Sequence, residues 1–118
     1  MADLGITIFH NPACGTSRNT LAMIRAAGHE PTVVDYLKTG WTRPQLEDLL
    51  KLMGARPRDI LRERGTPAAD LGLLDPTATD AAILSALVAQ PILVNRPIVV
   101  TAKGARLCRP AEKVMDLL

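Results

Sequence analysis

The sequence predicts an α/β protein with a mixed sheet, on three observations. Short runs rich in β-branched and apolar residues, which are typical of strands, occur towards both ends of the chain. These runs lie at 6–9, 31–36, 98–101 and 105–108. Apolar residues at helical spacing over 20–27 separate the first two, so those strands should be parallel and joined by a right-handed crossover. A turn at 102–104 separates the last two, which should form a hairpin before a final helix that opens at Pro110.

The middle of the chain, about 41–90, has the residue pattern of a helical insert. Thr42 and Gln45 fit a capping box at the start of one helix, and Gly54 fits its end. The apolar stripe of that helix is Leu46, Leu49, Leu50 and Met53. Thr79 should cap a second helix. Its core-facing residues should be Ile83, Ala86 and Leu87. The predicted order is therefore a βαβ unit, a helical insertion and a C-terminal ββα unit.

The composition limits the classes of function that the chain can serve. A length of 118 residues, 47% hydrophobic and 22% charged, predicts one globular domain over 1–118 with a substantial core. The net charge of +2 is too small to predict a nucleic-acid or membrane surface. One Trp, one Tyr and one Phe are too few to stack the bases of a single strand. No apolar run approaches the roughly 18 residues that a membrane-spanning helix needs.

The two cysteines, Cys14 and Cys108, are far apart in sequence and form no C-x-x-C pair. They predict neither a disulfide framework nor a metal site. The start of the chain lacks the basic and apolar segments of a signal peptide, so we expect a cytoplasmic protein, where free thiols persist. Cys108 lies on an apolar strand and is expected to be buried and structural.

Cys14 lies where the first predicted strand gives way to the first predicted helix. Pro12 and Gly15 suit a tight turn, so the thiol should stand just before a helix N-terminus. The unpaired N–H groups and the dipole at such a site stabilise a thiolate, and a cysteine pKa can fall there from about 8.5 to between about 3.5 and 7.5. The same N–H groups can hold an oxyanion. The alternative is a buried structural cysteine.

The residues that follow Cys14 form the predicted oxyanion-binding loop. They are Gly15, Thr16, Ser17, Arg18 and Asn19. Thr16, Ser17 and Asn19 add side-chain donors to the backbone N–H groups. One short loop is therefore expected to supply both a nucleophile and a seat for a tetrahedral anion.

With these residues in place, the chain resembles the glutaredoxin-coupled arsenate reductases, the ArsC family, from Ile6 to its C-terminus. The matching runs are 10–20, 61–62, 91–101 and 106–110. The resemblance implies a thioredoxin-like fold, with a cis proline at Pro97 beside the reactive cysteine. Some family members carry a longer tail beyond the final helix.

The resemblance also implies a reaction and its participants. Cys14 attacks arsenate to form a cysteine–arsenate ester, glutathione attacks the adduct, glutaredoxin removes the glutathione, and arsenite is released. Glutathione is a co-substrate, and no tightly bound cofactor or metal is expected. The resemblance assigns Arg62, Arg96 and Arg109 to the oxyanion, whose oxygens suit the planar guanidinium fork, and His10 to a supporting place near the thiol. Considered singly, each arginine could be a solvated surface charge.

Two other interpretations remain open. Cys14 and Ser17 form a C-x-x-S sequence similar to that of monothiol glutaredoxins and iron–sulfur carriers, although the long insert argues against that class. Spx-like regulators share the fold and the insert and act by binding RNA polymerase, but most carry C-x-x-C. The phosphatase-like arsenate reductases use C-x5-R, and Thr20 at the arginine position excludes them.

Overall fold

The computed structural model describes residues 3–118, with side chains described from residue 5 onwards. Its strands are β1 (Asp3–His10), β2 (Pro31–Asp35), β3 (Ile98–Thr101) and β4 (Gly104–Leu107). Its α-helices are α1 (Gly15–Ala26), α2 (Tyr36–Thr39), α3 (Arg43–Met53) and α4 (Asp80–Ala89). Short 3-10 helices span Pro57–Ile60, Pro91–Leu93 and Ala111–Leu117.

The chain divides into two compact units. One consists of the residues up to 39 together with 96–118, and the other consists of 40–95. A single domain over 1–118 stays a prediction.

The first unit holds a four-stranded mixed sheet in the order β2-β1-β3-β4. β1 is parallel to β2 and antiparallel to β3, and β3 is antiparallel to β4. The predicted parallel pairing of the first two strands and the predicted hairpin are both confirmed. Phe9 near the end of β1 pairs with Ile98 at the start of β3, which pairs with Leu107 at the end of β4. Three connections therefore meet at one end of the strands: the loop after β1, the segment that leads into β3 and the segment that follows β4.

One face of this sheet is covered by α1 and by the 3-10 helix Ala111–Leu117. The buried cluster between them is Ile6, Ile8, Ile24, Val99, Cys108, Val114 and Leu117. Burying one such aliphatic side chain contributes about 1.5–3 kcal/mol, so this cluster anchors α1 and the strand ends firmly. The final helix is 3-10 rather than α, with the Lys113 N–H donating to the Pro110 carbonyl. At seven residues the segment is long for a 3-10 helix, since such runs seldom exceed about three or four residues.

Helix α1 begins at Gly15, five residues before the predicted start, so Cys14 itself is the N-cap. The prediction followed apolar spacing, and the first turn of this helix is polar. Its first α-helical hydrogen bond runs from the Arg18 N–H to the Cys14 carbonyl, at 3.0 Å. The second strand also ends one residue early, because buried Tyr36 begins α2.

The second unit contains the two capped helices that the sequence predicts. The Thr42 hydroxyl accepts from the Gln45 N–H, and Gly54 ends α3 in the left-handed region at φ 63°. Thr79 caps α4, whose buried residues are Ile83, Leu84 and Leu87. Between these two helices, 61–79 consists of turns without a helix. Glycine and proline interrupt helical hydrogen bonding throughout that segment, at Gly65, Pro67, Gly72 and Pro76.

Candidate active site

Cys14 stands in the loop between β1 and α1, with its backbone extended at φ −94°, ψ 123°. The loop is held by two local hydrogen bonds. The Cys14 N–H donates to the Asn11 carbonyl at 3.0 Å, and the Ala13 N–H donates to Asn11 Oδ1 at 2.9 Å. Only 9% of Cys14 is exposed. The thiol is therefore held in the loop immediately before the first turn of α1.

Two arginines from the other two connections at this end of the strands reach Cys14. Arg109, two residues after β4, places Nη1 3.6 Å from the Cys14 Sγ atom and 2.9 Å from the Arg96 carbonyl oxygen. Arg96, two residues before β3, also acts on the thiol, and its Nε and Nη1 atoms are buried. The Arg96–Pro97 bond is cis, as the resemblance implies, and the Arg109–Pro110 bond is cis as well. The structure thus brings Cys14, Arg96 and Arg109 together.

The electrostatics of this arrangement favour the thiolate. Burial by itself raises the pKa of Cys14. The backbone N–H of Ser17 and hydrogen bonds from Arg96 and Arg109 outweigh that effect and lower the pKa to about 7. Each of these donors stabilises the charged sulfur more than the neutral thiol. Close to half of the Cys14 side chains are therefore ionised near neutral pH, beside two guanidinium groups suited to an anion.

His10 and Ser17 form a buried pair behind the thiol. His10 Nδ1 lies 2.6 Å from Ser17 Oγ, which also accepts the Asn11 N–H at 3.1 Å. The Ser17 hydroxyl is thus engaged with His10 and Asn11, and it is the backbone N–H of Ser17 that acts on Cys14. Burial lowers the pKa of His10, Asp35 raises it, and Arg25 and Arg18 lower it further, so the ring is mainly neutral at pH 7. His10 therefore holds the Ser17 hydroxyl in place, and its supporting role near the thiol stays a prediction.

Comparison with known proteins agrees with this geometry. A model described as the ArsC family matches residues 9–117. The chain belongs to the ArsC family. It is 58% identical over 118 residues to arsenate reductase ArsI1 of Synechocystis sp., covering all of this chain and 82% of that protein. It is 52% identical over 113 residues to an arsenate reductase of Escherichia coli strain K12, covering 96% and 80%. The structure of an arsenate reductase from Vibrio cholerae superposes with a TM-score of 0.91 at 35% identity, over the whole of both chains. The predicted thioredoxin-like fold is confirmed.

The remaining residues of the predicted oxyanion loop lie on the first turn of α1. Gly15 begins the helix, and the Thr16 carbonyl accepts the Thr20 hydroxyl at 2.8 Å. Arg18 is exposed, and its Nη1 donates to the Pro12 carbonyl at 2.9 Å, so this arginine ties the loop to the helix. Asn19 is exposed. Their contribution to oxyanion binding by this ArsC-family chain stays a prediction.

Arg62, the third arginine of the family pattern, belongs to the second compact unit. Its backbone N–H donates to the Leu93 carbonyl at 2.7 Å. Its guanidinium donates to the Arg64 carbonyl at 3.1 Å and to Asn95 Oδ1 at 3.2 Å. These contacts hold the side chain in place within that unit. Its assignment to the oxyanion stays a prediction.

Cys108 differs from Cys14 in the ionisation of its thiol. It is fully buried in the core of the first unit, and burial raises its pKa to about 11. The thiol is therefore protonated at neutral pH, which fits the structural role expected of it. Among the residues that the structure describes, no cluster of three or more His, Cys, Asp or Glu is arranged to hold a metal ion. Within the same residues, no helix has both the length and the apolarity to cross a membrane.

Proposed function

We propose that this protein reduces arsenate to arsenite through a cysteine–arsenate ester on Cys14, with glutathione as co-substrate and glutaredoxin as partner in the cytoplasm. The observation that carries the proposal is a thiol with a pKa of about 7 next to Arg96 and Arg109. The names of relatives at 52–59% identity, all arsenate reductases, support the choice of substrate.

The first step uses the thiolate as nucleophile. Arsenate is a tetrahedral oxyanion that is largely doubly charged near neutral pH, so it needs donors on several oxygens. Arg96 and Arg109 supply guanidinium donors, and the start of α1 supplies N–H groups. The Cys14 sulfur attacks arsenic, an S–As bond forms, and one oxygen leaves as water after taking up a proton. The arginines stabilise the charge that gathers on the oxygens during this exchange.

The second step needs another thiol. Arsenic must gain two electrons, which two thiols supply when they are oxidised to a disulfide. Cys108 is fully buried and protonated, which makes it unsuited to the task. Glutathione therefore attacks the arsenic of the Cys14 adduct, a second S–As bond forms, and another oxygen leaves as water. A glutaredoxin thiolate then attacks the glutathione sulfur: an S–S bond forms, the S–As bond breaks, and its electron pair reduces arsenic. Water displaces Cys14 from the reduced arsenic, and arsenite leaves. Arg62 joins this proposal as a third arginine on the strength of the family resemblance alone.

The test is arsenate-dependent NADPH oxidation with glutathione, glutaredoxin and glutathione reductase. The wild type and Cys108→Ser should be active, and Cys14→Ser should retain less than a few per cent because a hydroxyl is scarcely ionised at neutral pH. Greater activity in folded Cys14→Ser would contradict the nucleophile assignment. A rate that persists without glutathione would contradict the donor assignment.

The same preparation discriminates the two alternatives. Iron–sulfur absorbance in the purified protein would favour the monothiol glutaredoxin class. Capture of RNA polymerase subunits, with no arsenate-dependent turnover, would favour an Spx-like regulator.

A further inference from the structure

A cavity of about 520 Å3 opens beside the first turns of α1, in the unit that contains the sheet. Its lining residues are His10, Pro12, Arg18, Leu21, Ala22 and Arg25. Neither Cys14 nor the two arginines beside it line this cavity. It borders the catalytic loop from behind, on the side where the His10 ring lies.

His10 gives this cavity a buried polar wall. The residue is only 6% exposed, and its Nδ1 atom is engaged with Ser17 Oγ at 2.6 Å. No other residue that the structure describes hydrogen-bonds the second ring nitrogen, Nε2. Nδ1 is engaged by Ser17. A neutral ring whose proton is on Nε2 can therefore donate a hydrogen bond from Nε2 to a ligand in the cavity.

The charges around His10 favour an anion as that ligand. Arg18 and Arg25 lie seven residues apart, close to two helical turns, and therefore on the same side of α1. Arg25 is already paired with Glu30 at 2.9 Å, whereas Arg18 has one Nη1 bond to the Pro12 carbonyl. From the other side, Asp35 on β2 is the register partner of His10. The Asp35 carboxylate favours the protonated His10 ring, and a protonated ring binds an anion more tightly.

We propose that this cavity is a second anion site, which binds a small oxyanion through His10 Nε2 and the guanidinium of Arg18. The site does not depend on the proposed function. Binding and protonation of His10 are thermodynamically linked: the anion raises the pKa of His10, and the protonated ring binds the anion more tightly. His10 contacts the Ser17 hydroxyl, and the Ser17 N–H acts on Cys14. Binding of an anion at His10 therefore affects residues next to the reactive thiol.

The probe is sodium sulfate, compared with sodium chloride at equal ionic strength. His10 is titrated by the NMR signal of its ring Cε1–H, with His29→Gln to assign the two histidines. Sulfate should raise the pKa of His10, and it should bind about threefold more tightly, or better, as the pH falls through that titration. An unchanged His10 titration in sulfate would overturn the proposal.

Variants separate this site from the one at Cys14. Arg18→Gln should abolish the effect of sulfate on His10, and Arg109→Gln should leave it in place. If Arg109→Gln removes the effect, the sulfate acts from beside Cys14 and the proposal fails. Ala22→Glu is a second variant that places a carboxylate in the cavity and should weaken sulfate binding. Ala26→Glu, one turn further along α1 and outside the lining, is its matched control, and an equal effect of both would also overturn the proposal.

Discussion

Arg109 is expected to serve Cys14 in two separable ways, by ionising the thiol and by binding the oxyanion. Its Nη1 atom lies 3.6 Å from the Cys14 sulfur. A unit charge about 4 Å away is worth about 1 kcal/mol in a medium like water, and more in a less polar one. Since about 1.36 kcal/mol corresponds to one pH unit, Arg109→Gln should raise the pKa of Cys14 by at least about 0.7. The thiolate fraction at pH 7 then falls about threefold, from about a half to about a sixth.

The second contribution concerns arsenate. A hydrogen bond to a charged group contributes about 1.5–3 kcal/mol, so losing the guanidinium should lower kcat/KM for arsenate by a further ten- to hundredfold. The ionisation loss is recovered above the new pKa, but the oxyanion loss persists at every pH. Arg109→Lys should recover most of the ionisation but little of the arsenate turnover, because lysine keeps the charge and lacks the fork.

Two assays distinguish these contributions. The rate of Cys14 alkylation by iodoacetamide against pH, in a Cys108→Ser background, reports ionisation alone. The pH profile of kcat/KM for arsenate reports both effects, and melting temperatures show whether the variant is folded. An unchanged alkylation midpoint in Arg109→Gln would refute the contact with the thiol. Full recovery of kcat/KM at high pH would refute the role in oxyanion binding.

Further predictions concern the other groups around the thiol. Arg96→Ala should lower arsenate kcat/KM the most of the three arginines, because its Nε and Nη1 atoms are buried and its guanidinium acts on the thiol. Equal losses of activity and melting temperature would make it structural instead. His10→Ala should raise the alkylation midpoint of Cys14 modestly, since Ser17 loses its partner, and an unchanged midpoint would limit His10 to a structural role. The pKa of Cys14 in the folded protein, about 7, lies below its ordinary value, so unfolding takes up protons and stability should rise between about pH 7 and 9. Denaturant titrations should show that rise in the wild type and not in Cys14→Ser.

The loop around Cys14 was predictable because its determinants are local. A strand, Pro12, Gly15 and a following helix specify a turn and an N-terminus within a dozen residues. The start of α1 was misplaced because its polar first turn gives no apolar period, although a helix start needs none. Within the insert, the turns over 61–79 follow from the glycines and prolines of that segment, which interrupt helical hydrogen bonding.

The arginines could not be placed from their local sequence. Arg96 and Arg109 come from different connections, and only the antiparallel pairing of β3 with β1 and β4 brings both to the end of β1. The resemblance assigned their role, and the topology supplies the physical reason for their proximity. The orientation of Ser17 was equally hidden, because its hydroxyl is engaged by His10, seven residues earlier and across the turn.

The two cysteines show how much of the chemistry depends on place rather than on residue type. Burial raises the pKa of both thiols, yet Cys14 has a pKa of about 7 and Cys108 about 11. That is roughly a 10⁴-fold difference in acid dissociation constant within one compact unit. Cys14 alone has a helix-start N–H and two guanidinium groups, whereas Cys108 packs among aliphatic side chains. The fold thus favours ionisation of the Cys14 thiol and keeps the Cys108 thiol protonated. A reaction that needs two thiols must therefore draw its second from solution, which is why a soluble thiol donor belongs to the proposed mechanism.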